Sequence, residues 1–138
     1  MVVLKGISVS AQNTINTQFI LVQKDDKLSK EGQEETCLAL VADNTASVHF
    51  LLWGTECDAF DPGDIIRLTN GIFSYQNNLL VLRAGRRGKT EKVGEFTLTF
   101  VETPNMSEIR WVRDPNNPRK FVQDVVLSPY SRIFPPQP

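Results

Sequence analysis

The chain has 138 residues, with 15 Lys and Arg against 16 Asp and Glu, so its formal net charge is −1. This length predicts one domain, and 41% apolar residues are enough for a hydrophobic core. The only two cysteines, Cys37 and Cys57, have no further Cys or His at ligand spacing, which excludes a disulfide framework and a cysteine-based metal site.

The charges are distributed unevenly along the chain. Residues 25–64 contain ten acids and two bases, whereas residues 83–92 contain five bases and one acid. A polyanion would be attracted to the second segment and repelled by the first. The sequence shows no signal peptide, lipidation motif or long apolar run, so we expect a soluble, intracellular protein outside the membrane.

Short apolar runs separated by turn residues predict a series of strands. They lie at residues 17–23, 36–42, 47–53, 64–76 and 79–84, with a sixth strand or an extension of the fifth at 96–102. One helical turn is expected at residues 56–60, and Gly71 is expected to bend the fourth strand. Strands about ten residues apart, without longer helical periodicity before Met106, predict an all-β barrel or sandwich.

The character of the chain changes at its end. Seven of the eight prolines lie from Pro104 onward, and proline cannot complete the hydrogen bonds of an internal strand. We therefore predict a domain at residues 1–108 and a Pro-containing, extended and partly ordered C-terminal arm at residues 109–138. The arm residues suited to docking on the barrel are Trp111, Val112, Phe121 and Val122.

The third predicted strand carries a candidate stacking residue. Its residues 48, 50 and 52 share one face, which we assign to the core, and this leaves His49, Leu51 and Trp53 on the other. A base of a single strand stacks on an indole with about 1–3 kcal/mol, so Trp53 and His49 are candidates for nucleic-acid binding. The alternative is that Trp53 closes the barrel or lies under the C-terminal arm.

Two further aromatic residues end the fourth strand. Tyr75, near the predicted hairpin tip, is the better stacking candidate, and Phe73 is the better core candidate. Both assignments stay open because a bulge at Gly71 would exchange the two faces of the strand.

The basic segment that follows is expected to hold phosphates, which give affinity without sequence information. Its residues are Arg83, Arg86, Arg87, Lys89 and Lys92, with Lys5 and Arg67 as weaker candidates elsewhere. The alternative is an ordinary solvated loop.

Catalytic patterns are weak. His49 is the only histidine, and no motif places a nucleophile or a carboxylate beside it. Asp58, Asp61 and Asp64 lack the loop of a calcium site and are better explained as turn and cap residues. The segment 85–89 does not match a P-loop. We therefore expect no enzymatic activity, metal, cofactor or small-molecule substrate.

Several dispersed blocks resemble the SOSS-B family of the SOSS complex, the eukaryotic single-stranded DNA-binding proteins with one OB fold. The blocks are residues 41–48, Trp53, 62–71, 85–88, 94–96 and 101–108. Together they span about residues 19–108 in the same order as in the family.

The resemblance implies a five-stranded Greek-key OB barrel that binds single-stranded DNA in DNA damage response and repair, in the nucleus, within a multi-subunit complex. Trp53 stands at the family's base-stacking position. Glu95 and Phe96 match the segment that contacts a large scaffold, Integrator complex subunit 3. The family's remaining aromatics are absent, because Ile72, Gln76 and Arg83 stand in their places.

These departures leave two alternatives. Either Tyr75 or Phe73 replaces the missing aromatics through a shifted strand, or binding relies more on charge through Arg83. A protein-interaction adaptor and an RNA-binding OB module therefore remain alternative functions.

Overall fold

The computed structural model describes residues 1–25, 35–76, 78–96, 98–114 and 117–126. Its elements are β1 (Ser10–Lys24), β2 (Thr36–Ala42), β3 (Ser47–Trp53), α1 (Glu56–Ala59), β4 (Asp64–Gln76), β5 (Leu79–Glu95), β6 (Ile109–Asp114) and β7 (Asn117–Val126), with 3₁₀ turns at Leu4–Gly6 and Met106–Glu108. Strands β1 to β5 form a closed barrel in the order β1-β2-β3-β5-β4. This arrangement confirms the predicted all-β OB class.

Strands β2, β3 and β4 have the bounds predicted from sequence. Strand β5 is longer than predicted and continues to Glu95. The separate strand predicted at 96–102 is wrong for the described residues, which are irregular there. Phe96 has a φ of 53° and donates its N–H to the Gly63 oxygen at 2.9 Å, which ends the strand ladder.

The barrel interior confirms the alternation of β3, because Val48, Phe50 and Leu52 are fully buried. On β4 both Leu68 and Phe73 point inward, although they are five residues apart. Residues an odd number apart lie on opposite faces of a regular strand, so the inward face must change between them. The change occurs because the register shifts between Thr69 and Gly71, with a positive φ of 52° at the residue between them.

A segment that we call the strap, residues 98–108, runs around the outside of the barrel. The Val101 N–H donates to the Asp43 oxygen at 2.8 Å, and Ser47 donates its N–H to the Pro104 oxygen, also at 2.8 Å. Ser47 also forms a parallel bridge with Asn105. The strap thereby supplies hydrogen-bond partners to the backbone of the first half of β3. That half needs them because β3 pairs with β5 only further along, at Phe50.

The strap leads into the barrel core. Ile109 and Trp111 are buried in it, and the Trp111 indole meets the Phe73 ring edge-on with centroids 6.1 Å apart. Strands β6 and β7 form an antiparallel pair, and Phe121 packs against the core. Residues 109–114 and 117–126 therefore differ from an extended arm, because burying these apolar side chains outweighs the local effect of the prolines.

Residues 127–138 and the side chains of Val112 and Val122 lie outside the described part of the chain. Within the described residues, no helix has the length and apolar character needed to span a bilayer.

Candidate nucleic-acid interface

The outer side of β3 forms a half-buried wall, which we call the outer wall. It consists of His49, Leu51 and Trp53 together with their cross-strand partners on β2, Leu40, Leu38 and Thr36. The wall is apolar apart from His49 and Thr36, and its one indole stands at the end where β3 stops. A flat apolar surface of this kind offers contact area to the faces of rings.

Trp53 lies where β3 turns into α1. Its backbone N–H donates to Glu56 Oε1 at 3.0 Å, and Gly54, which follows, has a φ of 55° that favours glycine. These contacts fix the backbone, while the side chain stays half-buried on the outer wall. The indole is therefore positioned, and the described part of the chain leaves it partly exposed.

A tight bulge in β5 presents two arginines. Between the pairs Gly71–Ala84 and Thr69–Lys89, residues 85–88 of β5 stand opposite Asn70 alone. A Cβ on Gly88 would lie 2.5 Å from the Gly85 nitrogen and 2.9 Å from the Asn70 oxygen, so this position requires glycine. We call residues 85–88 the double-glycine bulge.

Arg86 and Arg87, at the centre of the double-glycine bulge, are both exposed. Among the described residues neither has an ion-pair partner. The bulge itself is held by Asn70, whose Nδ2 donates to the Arg87 oxygen at 3.4 Å and whose N–H donates to Asn16 Oδ1 at 3.0 Å. The two arginine side chains therefore extend from a backbone that these hydrogen bonds hold in place.

The strand register brings the double-glycine bulge to the same end of the barrel as Trp53. Strands β3 and β5 run parallel through the pair Phe50–Leu82, and both Trp53 and Gly85 lie three residues beyond it. Arg83, one residue beyond Leu82, is level with Leu51. Its side chain is half-buried, and its Nε has no hydrogen-bond partner among the described residues.

The remaining predicted phosphate ligands are engaged within the protein. Lys92 Nζ lies 3.1 Å from Asp64 Oδ1 and also contacts Glu95, and hydrogen bonds to Glu95 and Asp64 raise the pKa of Lys92. Lys89 lies 3.4 Å from Glu91. The five bases that look alike in sequence therefore form two groups in the fold.

The two weaker basic candidates lie away from Arg86 and Arg87, and Arg67 shares Glu91 with Lys89. Arg67 approaches Glu91 at 4.0 Å, and Lys5 is exposed in the first 3₁₀ turn, where its N–H donates to Thr45 Oγ1 at 3.1 Å. Neither contact places its basic side chain at the Trp53 end of β3.

His49 occupies the other end of the outer wall. Burial lowers the pKa of His49, and the negative charges of Glu108 and Asp25 act against that shift. A neutral imidazole in these surroundings can stack on a ring but does not attract a phosphate.

The structure does not bring Tyr75 or Phe73 beside Trp53. Phe73 is fully buried, and Tyr75, 53% exposed, pairs with Leu80, two residues before Leu82. Tyr75 and Trp53 are thus five residue steps apart, about 17 Å along the strand direction. Tyr75 also shares the inward face of β4 with Phe73, because the register shift at Asn70 exchanges the faces.

Glu95 and Phe96, the predicted partner contacts, lie at the end of β5. Glu95 contacts Lys92, and Phe96 is 76% exposed, with its ring across Gly63, where a Cβ would overlap it. Val93 and Phe100 nearby in the chain are also exposed apolar residues. Sequence reasoning did not single these two out, since their apolar character alone suggested burial.

The acidic and cysteine residues have structural contacts. Asp64 Oδ2 accepts the Asp61 N–H at 2.9 Å, the turn role predicted for it. Within the described residues, no group of His, Cys, Asp and Glu side chains is arranged to hold a metal ion. Cys37 and Cys57 are buried and free, and burial raises the pKa of the Cys37 thiol to about 12.

Comparison with known proteins supports the fold. No family model matches the chain. The structure is similar to that of a hypothetical protein from Arabidopsis thaliana, with a TM-score of 0.68 and 17% identity, covering 83% of this chain and 87% of the other. It is also similar to the Ifi202 HINa domain solved in complex with 20-base-pair double-stranded DNA, with a TM-score of 0.51 and 13% identity over 61% of this chain and 43% of that one. Identities this low relate the folds alone.

Proposed function

We propose that the protein binds single-stranded nucleic acid, DNA in particular, and acts by binding and not by catalysis. The observation that carries this proposal is that Trp53, half-buried on the outer wall, lies at the same barrel end as the exposed Arg86 and Arg87. The similarity to a HIN domain solved with DNA supports nucleic acid as the ligand class. A flat wall with one indole favours unpaired bases, whose faces are free to stack.

In this proposal the bases lie over the outer wall and the phosphates lie along β5. One base stacks on Trp53, and neighbouring bases contact Leu51 and His49. Arg86 and Arg87 bind phosphates, and the half-buried Arg83, level with Leu51, adds positive charge beside the wall. None of these contacts distinguishes one base edge from another, so we expect weak sequence selectivity and a strong dependence on salt.

The finer proposal is that the protein acts in the nucleus, in DNA damage response and repair, as a subunit of a SOSS-like complex. The sequence resemblance supports it, together with the exposure of Phe96 at the position of the family's scaffold contact. An Integrator complex subunit 3-like scaffold is therefore the proposed protein partner.

The first test is fluorescence anisotropy with labelled (dT)12. We expect Trp53→Ala to weaken binding by roughly fivefold or more, since stacking of one base contributes about 1–3 kcal/mol. Phe100→Ala, which removes an exposed aromatic ring from the strap, is the matched control and should bind like wild type. If the wild-type protein does not bind the oligonucleotide, the proposal is overturned.

The same titration at rising salt separates the two groups of bases. Arg86→Ala with Arg87→Ala should reduce the slope of log affinity against log salt by about 1.4, as expected for two lost phosphate contacts. Lys89→Ala with Lys92→Ala removes the same charge from the same strand and should change the slope less, because these lysines already face carboxylates. Equal slopes for the two double variants would contradict the assignment.

Titrations with the same protein and with labelled oligonucleotides also distinguish two other functions. An RNA-binding module would bind (rU)12 more tightly than (dT)12 in competition. A protein-interaction adaptor, which the exposure of Phe96 favours, would bind oligonucleotide only when its scaffold is present.

A further inference from the structure

The backbone N–H of Trp53 points to the side of β3 that faces β5. The next N–H along the chain, that of Gly54, donates to the Glu35 oxygen at 2.7 Å on the β2 side, and successive N–H groups of a strand point to opposite sides. The His49 N–H, which has the same parity as that of Trp53, also points away from β2 and donates to Ser107 Oγ of the strap at 2.9 Å. The sheet would therefore be expected to supply a partner for the Trp53 N–H from β5.

Strand β5 has left β3 at this point. Within the described residues β3 and β5 share the single pair Phe50–Leu82, and further along β5 continues into the double-glycine bulge and pairs with β4 alone. A half-buried N–H that has no strand partner needs another acceptor. Glu56 provides it, because its Oε1 accepts the Trp53 N–H at 3.0 Å.

The position of the Glu56 carboxylate follows from the contacts that hold α1. Cys57, the next residue, is buried, and its thiol donates to the Leu52 oxygen of β3 at 3.6 Å. Lys24, the last residue of β1, has an Nζ that donates to the Cys57 oxygen at 3.0 Å and to the Phe60 oxygen at 2.8 Å. Contacts from two strands thus fix α1, and the side chain of its first residue reaches back to the end of β3.

We propose that Glu56 is a positioning residue, which takes the place of β5 at the end of β3 and holds Trp53 where a base can stack on it. This inference rests on the proposed function. The negative charge of Glu56 opposes the binding of phosphates nearby, so its contribution to the site is the hydrogen bond and not the charge. Glutamine can accept the same hydrogen bond without the charge, whereas alanine cannot, so the two substitutions separate these effects.

The first measurement is acrylamide quenching of Trp53 fluorescence in a Trp111→Phe background, where Trp53 is the only indole. Glu56→Ala should increase the quenching constant roughly twofold by loosening the end of β3, while Glu56→Gln should stay close to the parent. Lys24→Met removes a donor that holds α1 and should act like Glu56→Ala. Glu102→Ala removes an exposed carboxylate from the strap and should change nothing. If Trp111→Phe folds poorly, the wild type serves, because Trp111 is 9% exposed and is quenched little.

The second measurement is the affinity for labelled (dT)12 at low and at high salt. Glu56→Gln should bind at least as tightly as wild type at low salt, and any gain should disappear at high salt as the charge is screened. Glu56→Ala should bind about threefold more weakly than Glu56→Gln at both salt concentrations, within the range expected for one hydrogen bond. In a Trp53→Ala background the two variants should bind alike, since Glu56 acts through the indole.

The two measurements separate this proposal from the proposed function. If the wild type does not bind (dT)12, the proposed function is overturned, and the quenching constants alone decide whether Glu56 holds Trp53. If the wild type binds but Glu56→Ala and Glu56→Gln have equal affinities or equal quenching constants, Glu56 is not a positioning residue. A difference in affinity that persists in the Trp53→Ala background would also overturn the proposal, because the effect would not pass through the indole.

Discussion

The two tryptophans of this protein have opposite environments. Trp111 is 9% exposed and fills the barrel end against Phe73, whereas Trp53 stays half-buried on the outer wall. The difference arises from the segments around them, because the strap carries Trp111 into the barrel and Trp53 remains where β3 ends. Alternation along a strand indicates the side of a residue, but distant segments decide whether that side is covered.

The backbone contacts of β3 also differ at its two ends. At the strap end, the N–H groups of Ser47 and His49 donate to the Pro104 oxygen and to Ser107 Oγ. At the Trp53 end, the Trp53 N–H donates to Glu56, only three residues further along the chain. Because the strap ties β3 to a distant segment, substitutions in the first region should change stability more than those at Trp53.

The largest effect is expected for Trp111→Ala. Emptying a buried aromatic site lowers the free energy of unfolding by about 3–5 kcal/mol. Trp111→Phe is the matched control and should cost much less, because it keeps an aromatic ring and removes an indole N–H that has no hydrogen-bond partner among the described residues. Urea unfolding monitored by circular dichroism measures both. A loss below about 1 kcal/mol for Trp111→Ala would show that the strap end is not part of the core.

A smaller loss is expected for Asp43→Ala, which weakens the turn whose Asp43 main-chain oxygen accepts the Val101 N–H of the strap. Asp43 Oδ1 accepts hydrogen bonds from the Thr45 N–H at 2.8 Å and the Ala46 N–H at 3.1 Å, and Oδ2 accepts the Leu4 N–H at 2.8 Å. Alanine leaves these donors without their acceptor, so we expect a loss of about 2–4 kcal/mol in unfolding free energy.

The neighbouring Asn44 is exposed in the same turn and provides the control. Asn44→Ala should change the unfolding free energy by less than about 0.5 kcal/mol, as for ordinary surface positions. If both variants lose equal stability, the carboxylate of Asp43 is not what stabilises this turn.

Local signals were sufficient to predict the strands, since alternation and turn residues located β2, β3 and β4. They were insufficient for the strap, because the contact of Asp43 with Val101 joins residues far apart in sequence. They were also insufficient to predict which basic residues of the site pair with carboxylates. Lys92 and Arg86 lie in one basic segment, yet only the register of β4 with β5 brings Lys92 to Asp64.

Local sequence signals were also insufficient to predict the inward face of β4. Gly71 suggested a bulge, but the shift falls around Asn70, and its size in β5 was not predictable from residue types. The spacing of Gly85 and Gly88 was the one signal for the double-glycine bulge. That spacing indicates a bulge only together with the close approach of Gly88 to the Asn70 oxygen.

The smallest effect concerns the pH dependence of stability at the strap end of the outer wall. Burial lowers the pKa of His49 below its ordinary 6.5 in the folded state, with Glu108 and Asp25 as the charges facing it. The unfolded chain therefore binds a proton more readily than the folded one, and stability is complete above about pH 6.5 and decreases as the pH falls below it. Melting temperatures between pH 7.5 and 5.5 should decrease more for wild type than for His49→Gln. Glu108→Gln should make the decrease steeper, because it removes a charge that favours the protonated imidazole. If wild type and His49→Gln have parallel profiles, His49 is solvated in the folded state and the strap does not enclose this end of the wall.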